Sequence, residues 1–156
     1  MPQWVTDIGK VICQVTNDDV SEINSCNANW YVGEKEDLYW HQDDEDLFRT
    51  SDSFRDVRIF SISFGVTRDF GFRIKYSHDH QFVSLRDGDI MTMEGIFQDK
   101  YQHCLFPGSV SEPVQEPVLT NTPINESLDF NERFNLTFRL IKRHNKGCAC
   151  RPSNAN

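Results

Sequence analysis

Apolar residues recur at Trp4, Ile8, Val11, Ile12 and Val15, the spacing of one helical face. The pattern predicts an amphipathic helix over residues 6–16, with Thr6 or Asp7 available to cap its first turn. Further on the period shortens to two. Phe60, Ile62 and Phe64 alternate with Ile59, Ser61 and Ser63, and Phe70, Phe72 and Ile74 alternate with Gly71, Arg73 and Lys75. Short apolar runs at 82–85 and 90–93 flank Arg86-Asp87-Gly88-Asp89, a strong turn signal. Near the end, Phe134, Leu136, Phe138 and Leu140 alternate with Asn135, Thr137, Arg139 and Ile141. One helix followed by many short strands predicts a mainly β domain, a sandwich or barrel such as a jelly roll. No internal repeat interrupts this order.

The chain has 156 residues, the size of one domain spanning 1–156. Between Gly108 and Glu132 there is no Lys or Arg, whereas Glu112, Glu116, Glu126, Asp129 and Glu132 are acidic and Pro113, Pro117 and Pro123 oppose regular structure. Residues 108–132 are therefore expected to form a long acidic loop insertion, as a lid or as a plain surface insertion. Residues 144–156 are expected to form a flexible tail. No apolar run approaches the roughly 20 residues that a membrane span needs, and residues 1–10 lack a secretory signal pattern. With an odd number of cysteines, five, this predicts a soluble intracellular protein, cytoplasmic or nuclear, and not a disulfide framework. Cys148 and Cys150 stand closer than the pair of a zinc knuckle.

Net charge changes the picture. At −8 it opposes phosphate binding. Yet Arg68, Arg73, Lys75 and Arg86 cluster mid-chain, and Arg139, Lys142, Arg143, Lys146 and Arg151 cluster near the end. These are read either as a local basic surface or, more commonly, as scattered solvated charge.

Candidate chemistry begins at His41-Gln42-Asp43. On an extended segment, residues two apart point the same way, so an imidazole and a carboxylate are presented together. One distant histidine would complete the two-His-one-carboxylate facial triad of non-haem Fe(II) oxygenases. His103 is the candidate. His78 and His80 flank Asp79 in a polar loop, and His144 lies in the basic tail. The last strand adds a second signal: Arg133, Asn135, Thr137 and Arg139 share one face, and Phe134, Leu136, Phe138 and Leu140 share the other. If the apolar face packs on the fold, the polar face lines a lumen. A guanidinium there is costly without a counter-charge, which a dicarboxylate would supply through bidentate bonds. An edge strand with solvated arginines is the bland alternative.

The ordered set of segments resembles the AlkB family of 2-oxoglutarate-dependent nucleic-acid demethylases. The segments are Asn29-Trp30-Tyr31, His41-Gln42-Asp43-Asp44-Glu45, Ile62-Ser63-Phe64-Gly65 with Arg68-Asp69-Phe70, Gly88-Asp89-Ile90 with Met93-Glu94-Gly95, Gln98, Gln102-His103, Pro107 and 133–139. The resemblance implies a double-stranded β-helix, a form of jelly roll. It implies Fe(II) on His41, Asp43 and His103, and 2-oxoglutarate held by Asn29, Tyr31, Arg133, Asn135 and Arg139, with the pairing of arginines to carboxylates left open. It implies O2 as the third participant and loss of an N-methyl group as formaldehyde, as in DNA repair or RNA modification. Asp44 or Glu45 is implied to reach the exocyclic amine of a base, or else to form a hydrogen-bonding turn. The implied partner is methylated nucleic acid, single-stranded or with the base flipped out, met by a monomer without membrane contact.

Two departures bear on the substrate. Family members carry a substantial region ahead of the Asn-x-Tyr segment, part of it a nucleotide-recognition lid, whereas 28 residues precede Asn29 here; most of that lid is expected to be absent. The aromatics left to stack a base are Trp4, Trp30, Tyr39 and Trp40, each of which core packing would more readily explain. Other readings are a same-fold oxygenase acting on a protein or small molecule, and a catalytically incomplete core.

Overall fold

A computed structural model of the chain describes residues 1–33, 36–45, 57–107 and 132–141. The expected acidic insertion, apart from Glu132, and the expected tail lie outside the described residues. Helix α1 (Gln3–Thr16) is followed by a short 3-10 turn (Val20–Glu22) and by strands β1 (Ser25–Val32), β2 (Leu38–His41), β3 (Ile59–Gly65), β4 (Arg68–Ile74), β5 (Gln81–Leu85) and β6 (Ile90–Met93). A one-turn helix α2 (Phe97–Lys100) then leads into β7 (Tyr101–Leu105), and β8 is Glu132–Arg139. The strands form two four-stranded antiparallel sheets, ordered β1-β8-β3-β6 and β2-β7-β4-β5. This is the jelly-roll, or double-stranded β-helix, architecture with an N-terminal helix. No helix among the described residues is long and apolar enough to cross a membrane.

The helix starts three residues earlier than its pattern predicts, with Pro2 at the N-cap in place of Thr6 or Asp7. Its buried face is also turned: Val5, Gly9, Ile12 and Cys13 face inward, whereas Trp4, Val11 and Val15 are exposed. Gly9 explains the rotation. A methyl group there would stand 3.3 Å from the Phe138 ring, so the missing side chain lets the helix lie against β8. The apolar side of β8 and β3 therefore packs under the helix. Val5, Ile12, Phe60, Leu136 and Phe138 form one buried cluster. Side chains of this size contribute about 1.5–3 kcal/mol each when fully buried.

A second cluster lies between the sheets and contains Val57, Ile59, Phe70, Leu85 and Met93. The turn at 86–89 forms as expected, with Arg86 N–H donating to Asp89 Oδ2 at 2.7 Å and Gly88 at φ 79°. It carries the chain from β5 in one sheet to β6 in the other, closing the sandwich instead of making a hairpin. At the β3–β4 corner, Gly65 has φ 86°, and an added Cβ would sit 2.2 Å from the Glu132 carbonyl oxygen. Gly65→Ala should therefore cost stability twice, through the left-handed backbone, about 1–2 kcal/mol, and through overpacking, about 1–3 kcal/mol. A denaturant midpoint unchanged from the parent would contradict the tight corner.

Candidate metal and co-substrate site

The polar ladder of the first sheet faces inward. On β8, Arg133, Asn135, Thr137 and Arg139 are all buried. The register sets Asn135 between Asn29 on β1 and Ser63 on β3, and Arg133 between Tyr31 and Gly65. The expected lumen is thus present, and the edge-strand alternative is excluded because β8 is an interior strand. Inside it, Asn135 donates from Nδ2 to Ser61 Oγ (2.8 Å) and to the Ile62 carbonyl (2.9 Å), while its Oδ1 accepts from Thr137 Oγ1 (2.9 Å). Arg133 donates to Ser63 Oγ at 2.6 Å. Its Nε finds no hydrogen-bond partner among the described residues. Burial pushes its pKa below the usual guanidinium value, partly offset by Tyr31, the expected response of a cation held without a carboxylate.

The second sheet brings the histidines. His41 on β2 pairs with His103 on β7 across the ladder, and their ring centroids lie 4.2 Å apart. Asp43 follows β2, and donor atoms from His41, Asp43 and His103 all lie within 4.8 Å of one another. His41 Nδ1 is 2.8 Å from the Tyr39 carbonyl. A carbonyl only accepts, so Nδ1 is the donor there, and Nε2, 3.8 Å from Asp43 Oδ1, is the ring atom turned to the donor set. His103 is stacked on Phe70 at 5.4 Å, and its Nδ1 is buried without a hydrogen-bond partner among the described residues. Burial, reinforced by His41 and Arg139, lowers its pKa to about 3; the ring is a neutral donor. Two imidazoles and a carboxylate suit a divalent first-row metal with open positions. Among the described residues no other group of three such side chains converges.

Asp43 is buried, and Arg139 Nη2 donates to its Oδ2 at 2.9 Å. The counter-charge for Arg139 thus comes from the metal-donor set, a partner that inspection of β8 alone does not supply. Burial raises the Asp43 pKa, with Arg139 and His41 opposing the rise. Gln98, fully buried on α2, accepts the Asp43 backbone N–H at 3.0 Å. Sequence pattern gives Gln98 a place in a motif but no task; an isolated amide on a four-residue helix carries no periodic signal.

Every residue expected to hold metal or co-substrate lines one pocket: Asn29, Tyr31, His41, Asp43, His103, Arg133, Asn135 and Arg139. Leu38, Phe70, Met93 and Leu105 are among its other lining residues, and periodicity did not single them out as site residues. Asp44 and Glu45 are exposed and stand outside its lining. Of the mid-chain arginines, Arg86 is exposed, whereas the other two are engaged within the fold. Arg68 is 2% exposed and donates to the carbonyls of Gly33, Glu36 and Phe106, and Arg73 is bonded to Gln102. Of the four aromatics, Trp4, Trp30 and Tyr39 are 54%, 64% and 82% exposed, so core packing does not account for them.

A jelly roll whose lumen joins a His-Asp-His donor set to buried arginines has the makings of a non-haem iron oxygenase. Residues 1–139 match the family model for the 2OG-Fe(II) oxygenase superfamily. Among curated proteins, alpha-ketoglutarate-dependent dioxygenase alkB homolog 3 of Mus musculus is 30% identical over 111 residues, 65% of this chain and 37% of that protein. The Homo sapiens protein of the same name is 31% identical over an equal span, again 65% of this chain and 37% of the relative. The chain thus matches little more than a third of the length of these relatives. The solved structure of OsALKBH1 superposes with a TM-score of 0.58 at 22% identity, covering 89% of this chain and 64% of the other, which supports the fold. The chain belongs to the 2OG-Fe(II) oxygenase superfamily. Membership implies Fe(II), 2-oxoglutarate and O2 as reaction partners.

Proposed function

We propose that the chain is an Fe(II)/2-oxoglutarate-dependent dioxygenase that oxidatively demethylates N-alkylated bases in DNA or RNA. We propose further that it acts as a monomer on single strands, inside the cell, in cytoplasm or nucleus. The observation that carries the reading is the meeting, in one buried pocket, of the His41–Asp43–His103 donor set with the cations Arg139 and Arg133. Bound together, the metal, co-substrate and O2 would supply the oxidising power: 2-oxoglutarate would be converted to succinate and CO2 with one oxygen atom, the other would hydroxylate the methyl group, and the hydroxymethyl group would be lost as formaldehyde.

The chain's own residues bind and orient. His41, Asp43 and His103 would hold iron on one face. The pocket is polarised: Arg139 lies against Asp43, and Arg133 lies further along β8 beside Tyr31 and Ser63. Arg139 would accordingly take the co-substrate carboxylate nearer the metal, and Arg133 with Tyr31 the distal one. Asn135 has its amide committed to Ser61, Ile62 and Thr137; it would present a fixed wall, with Asn29 paired beside it. Phe70, Met93 and Leu105 would exclude water and so strengthen these polar contacts. Asp44 and Glu45, exposed just past the donor set, would be free to accept from a base amine. The exposed ring of Tyr39, two residues before His41, would be available for stacking, which contributes about 1–3 kcal/mol per base.

The test is incubation of a single-stranded oligonucleotide carrying 1-methyladenine or 3-methylcytosine with protein, Fe(II), ascorbate and 2-oxoglutarate. Mass spectrometry should register loss of the methyl group in step with succinate. Succinate without demethylation would overturn the nucleic-acid substrate and keep the oxygenase. Neither product, from folded metal-loaded protein, would overturn both.

A further inference from the structure

The strand carrying His41 is poorly held by backbone alone. β2 has four residues, lies at a sheet edge, and pairs with β7 at only Leu38↔Leu105 and His41↔His103, with an irregularity between them. A short, bulged edge strand of this kind is free to slip or fray, and a slip would carry His41 away from His103. Alternation along a strand turns neighbours to opposite faces. His103 points into the lumen, so Gln102 points outward; Trp40, immediately before His41, likewise packs outside the pocket, against Phe106 and His80.

One side chain joins these two outward neighbours. Arg73 on β4 stands opposite Gln102 in the ladder. Its Nε and Nη2 both donate to Gln102 Oε1, at 3.1 and 3.0 Å. Its guanidinium carbon lies 4.3 Å from the centre of the Trp40 ring. The planar cation thus grips β7 through a forked hydrogen bond and β2 through its π face, a combination to which arginine is suited. β4 is the interior strand next to β7 and is itself paired on both sides, so the grip is anchored in the firmest part of the sheet.

We infer that Arg73 is a positioning residue for the metal centre: from the outer face of the sheet it fixes the separation of His41 and His103 by clamping Trp40 and Gln102. The inference rests on the proposed iron site. It separates Arg73 from any role in phosphate binding, which the clustering of basic residues in the sequence had left open. Outer partners that orient metal ligands typically carry about 10–100-fold in metal affinity, and Arg73 does so at one remove, through the strands.

The test is Co(II) binding to the 156-residue chain by calorimetry, with the visible absorption of the bound ion recorded in parallel. Arg73→Ala should weaken Co(II) by about 10–100-fold and alter its absorption. Arg73→Lys, which keeps a cation beside Trp40 and loses the fork, should fall between. Gln102→Ala should weaken binding too, and the double variant should be no weaker than Arg73→Ala alone, because both remove one clamp. Parent-like affinity and spectrum in Arg73→Ala, with or without a lowered melting temperature, would overturn the inference; should that variant not fold, Gln102→Ala decides in the same way. His103→Ala in the same series separates the two readings. Parent protein that binds Co(II) no better than His103→Ala would sink the metal site and this inference together.

Discussion

His103→Ala should bring Fe(II)-dependent succinate formation to background. The ring is one of three donors, and no other group of His, Cys, Asp or Glu among the described residues converges to replace it. What remains is a half-exposed imidazole and a carboxylate already paired with Arg139. Loss of a direct ligand should exceed the roughly 10–100-fold that loss of an outer partner costs. The burial that holds this ring neutral also means that no proton has to leave it when a metal arrives. Truncation leaves a gap beside Phe70 and Phe97, so a modest fall in melting temperature is expected alongside. The decisive comparison is calorimetric titration of Co(II) and succinate release in the folded variant. Full turnover would remove His103 from the metal set.

Arg133→Met should raise the KM for 2-oxoglutarate by about a hundredfold or more while leaving metal affinity near the parent value. A hydrogen bond to a charged group contributes about 1.5–3 kcal/mol, a fork offers two, and each 1.4 kcal/mol is about a factor of ten. Arg133 is 2% exposed and donates to Ser63 and the Leu85 carbonyl, not to the donor set. Methionine is similar in reach and carries no charge, so stability should hold or rise, because a buried cation with no carboxylate partner is costly. Steady-state kinetics with 2-oxoglutarate as the varied reactant, set beside Co(II) titration, gives the split. An unchanged KM would reassign Arg133 to structure.

Much of this site was legible because its grammar is that of the strand. Period two along β8 put four polar side chains on one face and Phe134, Leu136 and Phe138 on the other, and the fold turned the first into the lumen and packed the second under α1. The His41-x-Asp43 spacing carried the same message. Helical periodicity served less well. It found α1 but chose Trp4, Val11 and Val15 for the inner face, since a glycine at position 9 carries no hydrophobic weight although its smallness decides which side approaches Phe138. Arg68 and Arg73 were illegible for another reason. Their partners are carbonyls and an amide from Gly33, Glu36, Phe106 and Gln102, groups with no charge to announce them and at no fixed distance along the chain. Likewise, nothing local distinguishes a turn that joins two strands of one sheet from the 86–89 turn that joins two sheets.

The sheet order has a consequence for how the protein comes into being. β8, the last strand described, lies in the interior of its sheet, between β1 and β3. Asn29 therefore meets Asn135, and Tyr31 meets Arg133, across more than a hundred residues of chain. Pairings of such long sequence separation form slowly, because loop closure must be achieved before any contact rewards it. During synthesis the candidate metal donors at 41, 43 and 103 emerge well before the arginines at 133 and 139. Until then β1 and β3 have no neighbour between them, and each offers an unpaired backbone edge of the kind that invites aggregation. A nascent chain thus carries all three candidate metal donors while it still lacks the strand that closes its sheet, so its passage from ribosome to native state is the stage most exposed to chaperone capture.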